Sequence, residues 1–269
     1  MSPARFLPAA LAALVVAAPS GARAGDGFFD WIHGDWYLEV GVTGLVAPNF
    51  EGGKKYLLGA EPIISLGKAG NDTRFSSRND NISLGLYDTG NFRAGLNGKL
   101  LLRRSSDTQG LEGLDPVPWG GELGGFAEFY PVDWVRVRGE VRQGVRAHHG
   151  VVADFAADAF YDVTPEVRIS GGPRMSLASS RYFDAYYGVN AAEAATTGLA
   201  EYHPGGGVKS VGVCGAVTWK VSDPITASLF GEYSRLTGPA ASSSLVKQNG
   251  SKDQFTIGIS TSYRFDFKM

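Results

Sequence analysis

The stretch Val135-Arg136-Val137-Arg138-Gly139-Glu140-Val141-Arg142-Gln143-Gly144-Val145-Arg146-Ala147 decides the fold class. Val135, Val137, Gly139, Val141, Val145 and Ala147 share one parity; Arg136, Arg138, Glu140, Arg142, Gly144 and Arg146 share the other. A helix would mix these two sets around its circumference, whereas a strand sends successive side chains to opposite faces. The next segment repeats the pattern, with Val151, Ala153, Phe155, Ala157, Ala159, Tyr161 and Val163 set against Asp154, Asp158 and Asp162. Paired antiparallel, the arginine strand and the aspartate strand place opposite charges across one ladder.

Working outward, the same two-residue period runs through Phe92 to Arg103, Glu166 to Leu177, Val211 to Val221, Ile225 to Tyr233 and Phe255 to Phe265. A soluble sandwich also alternates, but two details favour a membrane barrel. The alternating segments are about 10 residues long, the length of a tilted strand crossing the hydrocarbon layer. Aromatics also gather near the segment ends, among them Trp36, Tyr37, Trp119, Phe129, Tyr130, Trp134, Tyr161, Trp219, Tyr233, Tyr263 and Phe265, as interface girdles require. Composition agrees: 37 glycines in 269 residues without a collagen period, and 19% charged residues, exclude a triple helix, a coiled coil and a disordered chain.

The N-terminus carries Arg5, an apolar run from Phe6 to Ala18 and the small-residue exit Ala22-Arg23-Ala24. This three-part pattern predicts a signal peptide over 1–24 that is removed after export, leaving 25–269 as a single barrel domain. Its apolar run is too short to span a bilayer as a helix. The lone Cys214 cannot form an internal disulfide.

Strands are predicted near 36–47, 56–66, 73–77, 81–88, 91–104, 119–130, 133–147, 150–163, 165–178, 207–221, 224–237 and 254–265. The fold class is therefore all-β, a transmembrane antiparallel β-barrel of about twelve strands, with about ten as the alternative. The larger count requires a hairpin over 73–88 turning around Ser77 to Asp80. The long connections 105–118, 179–206 and 238–253 are expected outside the cell, and the tight turns Val132-Asp133, Thr164-Pro165 and Ser222-Asp223 in the periplasm.

If the apolar parity faces lipid, the other parity lines the interior. The candidate lumenal charges are Arg93, Lys99, Arg136, Arg138, Glu140, Arg142, Arg146, Asp154, Asp158 and Asp162. Over the whole inward parity eleven basic and ten acidic side chains nearly balance, whereas a selective pore is expected to carry an excess of one sign. Structural charge pairing is the favoured reading and a conduit the alternative. Catalysis finds little support. His33, His148, His149 and His203 lie off the strands, and Ser179, Ser180 and Asp184 share the long loop with His203 at no recognisable spacing. Neither a metal-ligand spacing nor a phosphate cradle recurs, and the basic residues alternate within strands rather than forming a nucleic-acid patch. No cofactor is expected. Within the long loop, Ala191 to Ala195 predicts a short helical turn, and the aromatic run Tyr182 to Val189 is unlike a flexible linker.

The order of several short motifs resembles the MipA/OmpV family of outer-membrane proteins, over about Gly41 to Phe265. Ala47-Pro48-Asn49-Phe50-Glu51-Gly52 with Tyr56 is similar to the family's first turn, and Gly125-Phe126-Ala127-Glu128, Arg142-Gln143-Gly144 and His149-Gly150 follow. The long loop supplies Tyr186-Tyr187-Gly188-Val189, Ala191-Ala192, Gly198-Leu199, Tyr202 and Gly205-Gly206-Gly207-Val208-Lys209. Tyr233-Ser234-Arg235-Leu236, Ser244-Leu245-Val246, Gly250-Ser251, Gln254-Phe255 and Tyr263-Arg264-Phe265 complete the series. The resemblance implies a non-enzymatic scaffold barrel of the bacterial outer membrane. Its implied partners are a membrane-bound lytic transglycosylase and a bifunctional penicillin-binding murein synthase, together with outer-membrane lipid. It carries over no catalytic residue. The loop residues Tyr186, Tyr187, Gly188, Val189, Gly198, Leu199 and Tyr202 stand as a candidate motif. A small-solute channel and a surface hydrolase or adhesin remain the alternatives.

Overall fold

The computed structural model describes residues 33–68, 75–77 and 80–268; the predicted signal peptide lies outside them. Eleven strands among these residues close into one barrel: β1 (Asp35–Pro48), β2 (Tyr56–Lys68), β3 (Ile82–Asp88), β4 (Phe92–Leu101), β5 (Gly120–Val132), β6 (Val135–Val145), β7 (Val151–Asp162), β8 (Val167–Ala178), β9 (Gly207–Lys220), β10 (Ile225–Leu236) and β11 (Asp253–Lys268). Sequential strands are neighbours, and β11 closes on β1 with Asp35 opposite Lys268.

Every neighbouring pair is antiparallel except β2 and β3, which run parallel through two pairs, Ser65 with Ser83 and Leu66 with Leu84. An odd strand count makes one such pair unavoidable. Eleven falls between the expected numbers of about twelve and ten; the strand expected over 73–77 is the one not found among the described residues. Residues 73 and 74 lie outside the described residues, and Phe75 to Ser77 form no strand. Instead Phe75 stacks on Phe160 with ring centroids 4.8 Å apart, and the Tyr130 hydroxyl donates to its carbonyl. Phe160 and Tyr130 face inward, so this segment lies inside the barrel rather than in its wall.

Large apolar side chains stand on the outward parity of each strand and remain exposed, including Leu96, Val137, Val141, Phe155, Val213, Val217, Ile257 and Ile259. For a soluble protein such a surface would be an aggregation hazard; in a bilayer it is the solvent-matched face. Glycine at close strand contacts has a direct cause, because a Cβ at Gly124 would fall on the Val141 carbonyl.

The tight turns 89–91, 133–134, 163–166 and 221–224 share one end of the barrel with both of its terminal strand ends. The opposite end carries 49–55, 102–119, 146–150, 179–206 and 237–252, and these segments pack into a cap. Its helices are α1 (Ser180–Tyr187), α2 (Ala191–Thr197), α3 (Gly238–Ser242) and α4 (Ser244–Asn249). The predicted helical turn at Ala191 is α2. Asn190 caps it by accepting from the Ala192 and Glu193 amides, and Gly198 ends it at φ 74°, a conformation that favours glycine.

Candidate functional site

Arg136 is fully buried, and its guanidinium grips Asp80 from both terminal nitrogens, at 2.6 and 2.9 Å, while also donating to Asp158 at 2.8 Å. Arg174 takes the other Asp158 oxygen at 2.5 Å. Arg138 bridges Glu128 at 2.8 Å and Glu140 at 2.7 Å. Arg142 reaches Glu122 at 2.7 Å, Glu140 at 2.5 Å, and Asp154. Arg93 donates to the Tyr37 hydroxyl at 2.6 Å, and its guanidinium lies 3.7 Å from Glu128. Amides complete the set, since Asn81 and Asn97 both donate to Glu140. The alternation of β6 places its three arginines on one face, and the register puts Arg136 opposite Asp158 on β7 and Arg138 opposite Glu128 on β5.

This network occupies the barrel at mid-height, with the chain itself as one member. Asp80, Asn81 and Ser77 come from the segment between β2 and β3, and Ser77 accepts from Arg174 at 3.2 Å. The Arg136 guanidinium also lies over the Phe75 ring, 4.8 Å from its centroid. Burial pushes the Asp80 carboxyl up, but Arg136 and Arg138 outweigh it and hold the group well below the usual carboxylate range.

The predicted lumenal residues fall into different places. Arg93, Arg136, Arg138, Glu140, Arg142 and Asp158 are buried together, and Asp154 is half-buried beside them. Asp162 sits at the turn-end rim, paired with Arg168 at 2.6 Å. Lys99 lines the cavities beneath the cap without joining the network. Arg146 is a correction. The β6 ladder ends at Val145, Arg146 takes φ 72°, and its exposed side chain lies over the Trp119 ring at 3.9 Å, away from the interior.

A second polar cluster lies under the cap. Glu51 accepts from Lys209 at 2.6 Å and from the Tyr182 hydroxyl at 2.5 Å. His148 donates through Nε2 to Glu122 at 3.0 Å while its Nδ1 accepts from the Gly150 amide, and its ring packs edge-on against Tyr182. Burial raises the Glu51 carboxyl, yet Lys209 reverses this and leaves it below the ordinary value. Burial and then Glu51 push Tyr182 well up, and Tyr186 is pushed up to about 12 by burial, Glu51 and Glu122. A cavity of about 290 Å³ lies between this cluster and the arginines.

The candidate loop motif builds the cap itself. Tyr187 is fully buried with Tyr182, Phe183, Leu236, Ala240 and Val246, and Val189 and Leu199 pack with Phe50, Leu111, Leu114 and Leu245. Tyr202 pairs with Val189 through the backbone and donates its hydroxyl to the Pro239 carbonyl at 2.8 Å. Tyr186 presents its carbonyl to Arg104 at 2.7 Å, and Gly188 and Gly198 end α1 and α2. His203 pairs with Glu201 on the exposed rim, and the Ser179 hydroxyl accepts from the Val151 amide, so the two are engaged separately. Sequence reasoning missed Asp80, whose position in a supposed hairpin loop carries no parity, and the Glu51–Tyr182–Lys209 cluster, whose members lie in three distant segments.

A family model described as MltA-interacting protein MipA matches residues 40–265. The comparison with curated proteins finds no match. Similar solved structures include a bacterial polysaccharide outer membrane secretin, at 9% identity, covering 87% of this chain and 99% of that one with a TM-score of 0.42. The outer membrane protein OprG from Pseudomonas aeruginosa is 10% identical, covers 87% and 96% and gives a TM-score of 0.31. Neisserial surface protein A is 10% identical, covers 86% and 99% and gives 0.29.

Proposed function

This chain belongs to the MltA-interacting protein (MipA) family and is a barrel of the bacterial outer membrane, and we propose that it acts there as a non-enzymatic scaffold for peptidoglycan-remodelling enzymes. The observation that carries this reading is the filled interior. A conduit needs a continuous polar path, but paired arginines and carboxylates, with Phe75, Ser77, Asp80 and Asn81 among them, occupy the mid-height of the lumen, and a packed apolar cap covers one mouth. What remains available to partners is surface. With the short turns in the periplasm, the turn end faces the cell wall. A polar vestibule of about 500 Å³ opens there, and its rim charges pair internally, as Arg264 does with Asp266 and Lys220 with Asp223. That rim, whose charges largely pair with one another, suits docking of a folded partner better than capture of an ion. The family's description supplies the candidate partner, the lytic transglycosylase MltA.

Tagged mature protein, extracted in mild detergent, is expected to retain a lytic transglycosylase and a penicillin-binding synthase from envelope extracts. In planar bilayers the same preparation is expected to be silent. Failure to retain any wall enzyme would overturn the scaffold reading. Discrete conductance that disappears when Arg136, Arg138 and Arg142 are replaced by acidic residues would establish a channel instead.

A further inference from the structure

The wall of the barrel has a weak place. β2 joins β3 through two residue pairs only, and β3 begins at Ile82, opposite Gly98 of β4. Towards the cap, β2 continues through Ile64 to Tyr56 and β4 through Lys99 to Leu101, each paired on its far side. Among the described residues neither has a ladder partner on the side where the two face each other. A backbone edge left open in hydrocarbon costs several kcal/mol for each unsatisfied group, so such an edge persists only where it borders a polar cavity. It does border one. A cavity of about 440 Å³ is lined on the inside by Arg93, Arg138 and Glu128 and on the membrane side by Ala60, Leu100 and Leu102. One void thus reaches from the lumen to the lipid-facing surface through the gap.

We propose that this gap is a lateral port that binds a zwitterionic phosphate-headed amphiphile, its tail lying in the bilayer and its head inside the wall. Three observations choose this occupant. Lys99 and Glu61 are inward-facing residues on the two strands that flank the gap, and neither makes a hydrogen bond or ion pair among the described residues; Lys99 feels Glu122 across the ladder, and Asp154 and Glu51, only at longer range, whereas the arginines deeper in the cavity are paired directly with carboxylates. An ammonium on one side and a carboxylate on the other match a head carrying phosphate and amine. Leu58, Leu100 and Leu102 remain 83%, 63% and 81% exposed around the mouth, an apolar path for the tail. Pro62 lies within the open edge and has no N–H, a device that blocks addition of a further strand and so disfavours a partner chain.

The inference stands apart from the scaffold reading. It is tested on the mature barrel in dodecyl maltoside, whose head is uncharged, by native mass spectrometry during titration with lysophosphatidylethanolamine. One saturable adduct per barrel is expected. Lys99→Glu is expected to weaken binding at least tenfold, and Lys99→Met to weaken it in the same direction, while Lys252→Glu at the cap-end rim leaves it unchanged. Heat-modifiable gel migration verifies that each variant is folded. Ala60→Trp, which fills the mouth without touching either charge, is expected to abolish the adduct. Lysophosphatidic acid, which lacks the amine, is expected to bind more weakly, and Glu61→Gln to erase that preference. Non-saturating adducts, or binding equal in wild type and both Lys99 variants, would mark ordinary annular lipid and overturn the port. A fatty acid binding as tightly as the phosphate lipid would overturn the headgroup assignment.

Discussion

Replacing Arg136 by Met removes the cation that two fully buried carboxylate partners share with the inner chain segment. Arg136 makes three hydrogen bonds shorter than 3 Å, two to Asp80 and one to Asp158, and lies 3.6 Å from Glu128. The loss is unequal among them. Arg174 still holds Asp158 at 2.5 Å and Arg138 still holds Glu128 at 2.8 Å, whereas Asp80 keeps the Ser77 amide at 2.9 Å and, among the cations of the described residues, Arg138 at 3.8 Å. Breaking a buried pair by deleting one partner costs about 3–5 kcal/mol, most of it the uncompensated charge. Asp80→Asn on its own removes a carboxylate that two arginines hold, and is expected to cost about 1–3 kcal/mol. Combined, the two changes remove the orphaned charge, so the double variant is expected to be about 1–3 kcal/mol more stable than the sum of the single losses predicts. Urea unfolding of refolded barrels in lipid vesicles, followed by tryptophan fluorescence and gel migration, measures all four corners. The pH dependence carries the same signature. Because the folded Asp80 value is depressed, the unfolded chain takes up the proton first; the stabilisation is complete above the unfolded value of about 3.9 and is lost as pH falls toward the folded one. Asp80→Asn should therefore flatten the acid limb of the stability curve. Strict additivity, or a loss below about 1 kcal/mol for Arg136→Met, would refute the placement of Asp80 in the lumen.

Two further expectations test the cap and the outer face. Tyr182→Phe removes a hydrogen bond to the Glu51 carboxylate and should loosen the cap by about 1.5–3 kcal/mol, seen as faster tryptic cleavage at the exposed Arg181 with unchanged gel migration of the barrel. Unchanged cleavage would mean that the cap is held by its apolar clusters alone. Ile259→Arg, on the outward parity near the middle of β11, should destabilise the folded barrel in vesicles by about 2–4 kcal/mol; a neutral effect would place that face away from lipid.

Most of the wall was legible because parity is a local property. Val135 to Val145 alternates in the sequence and in the structure for the same reason, the pleat of a strand with lipid on one side and charge on the other. Arg146 shows where that reasoning stops. Parity holds only while the ladder continues, and a positive φ one residue past its end turns the side chain outward over Trp119. The aromatic run Tyr182 to Tyr187 reads as a structured loop but forms α1, because its bulky side chains are buried against Leu236, Ala240 and Val246, contacts between segments that sequence spacing does not reveal. The segment around Ser77 was hidden for a global reason. An even strand count requires a hairpin there, and only the closed ladder shows that one strand pair runs parallel.

That parallel pair links features that otherwise look unrelated. β2 ends at the turn end and β3 starts part-way toward the cap, and the described residues between them, Phe75 to Ser77, Asp80 and Asn81, lie inside the barrel. On the lipid face these residues would leave polar groups unsatisfied in hydrocarbon, whereas inside the barrel Asp80, Asn81 and Ser77 find Arg136, Glu140 and Arg174. The arginines of β6 and β8 are thus matched to a piece of chain as well as to the opposite wall, which explains why charge on the inner face need not imply transport. β3 itself is short. Because it begins opposite Gly98, the upper edges of β2 and β4 have no strand between them among the described residues, and the cavity reaches the membrane there. Filling the lumen and opening the wall are two results of one odd strand, so restoring a full β3 without moving the inner segment should close the port while leaving the ion-pair network intact.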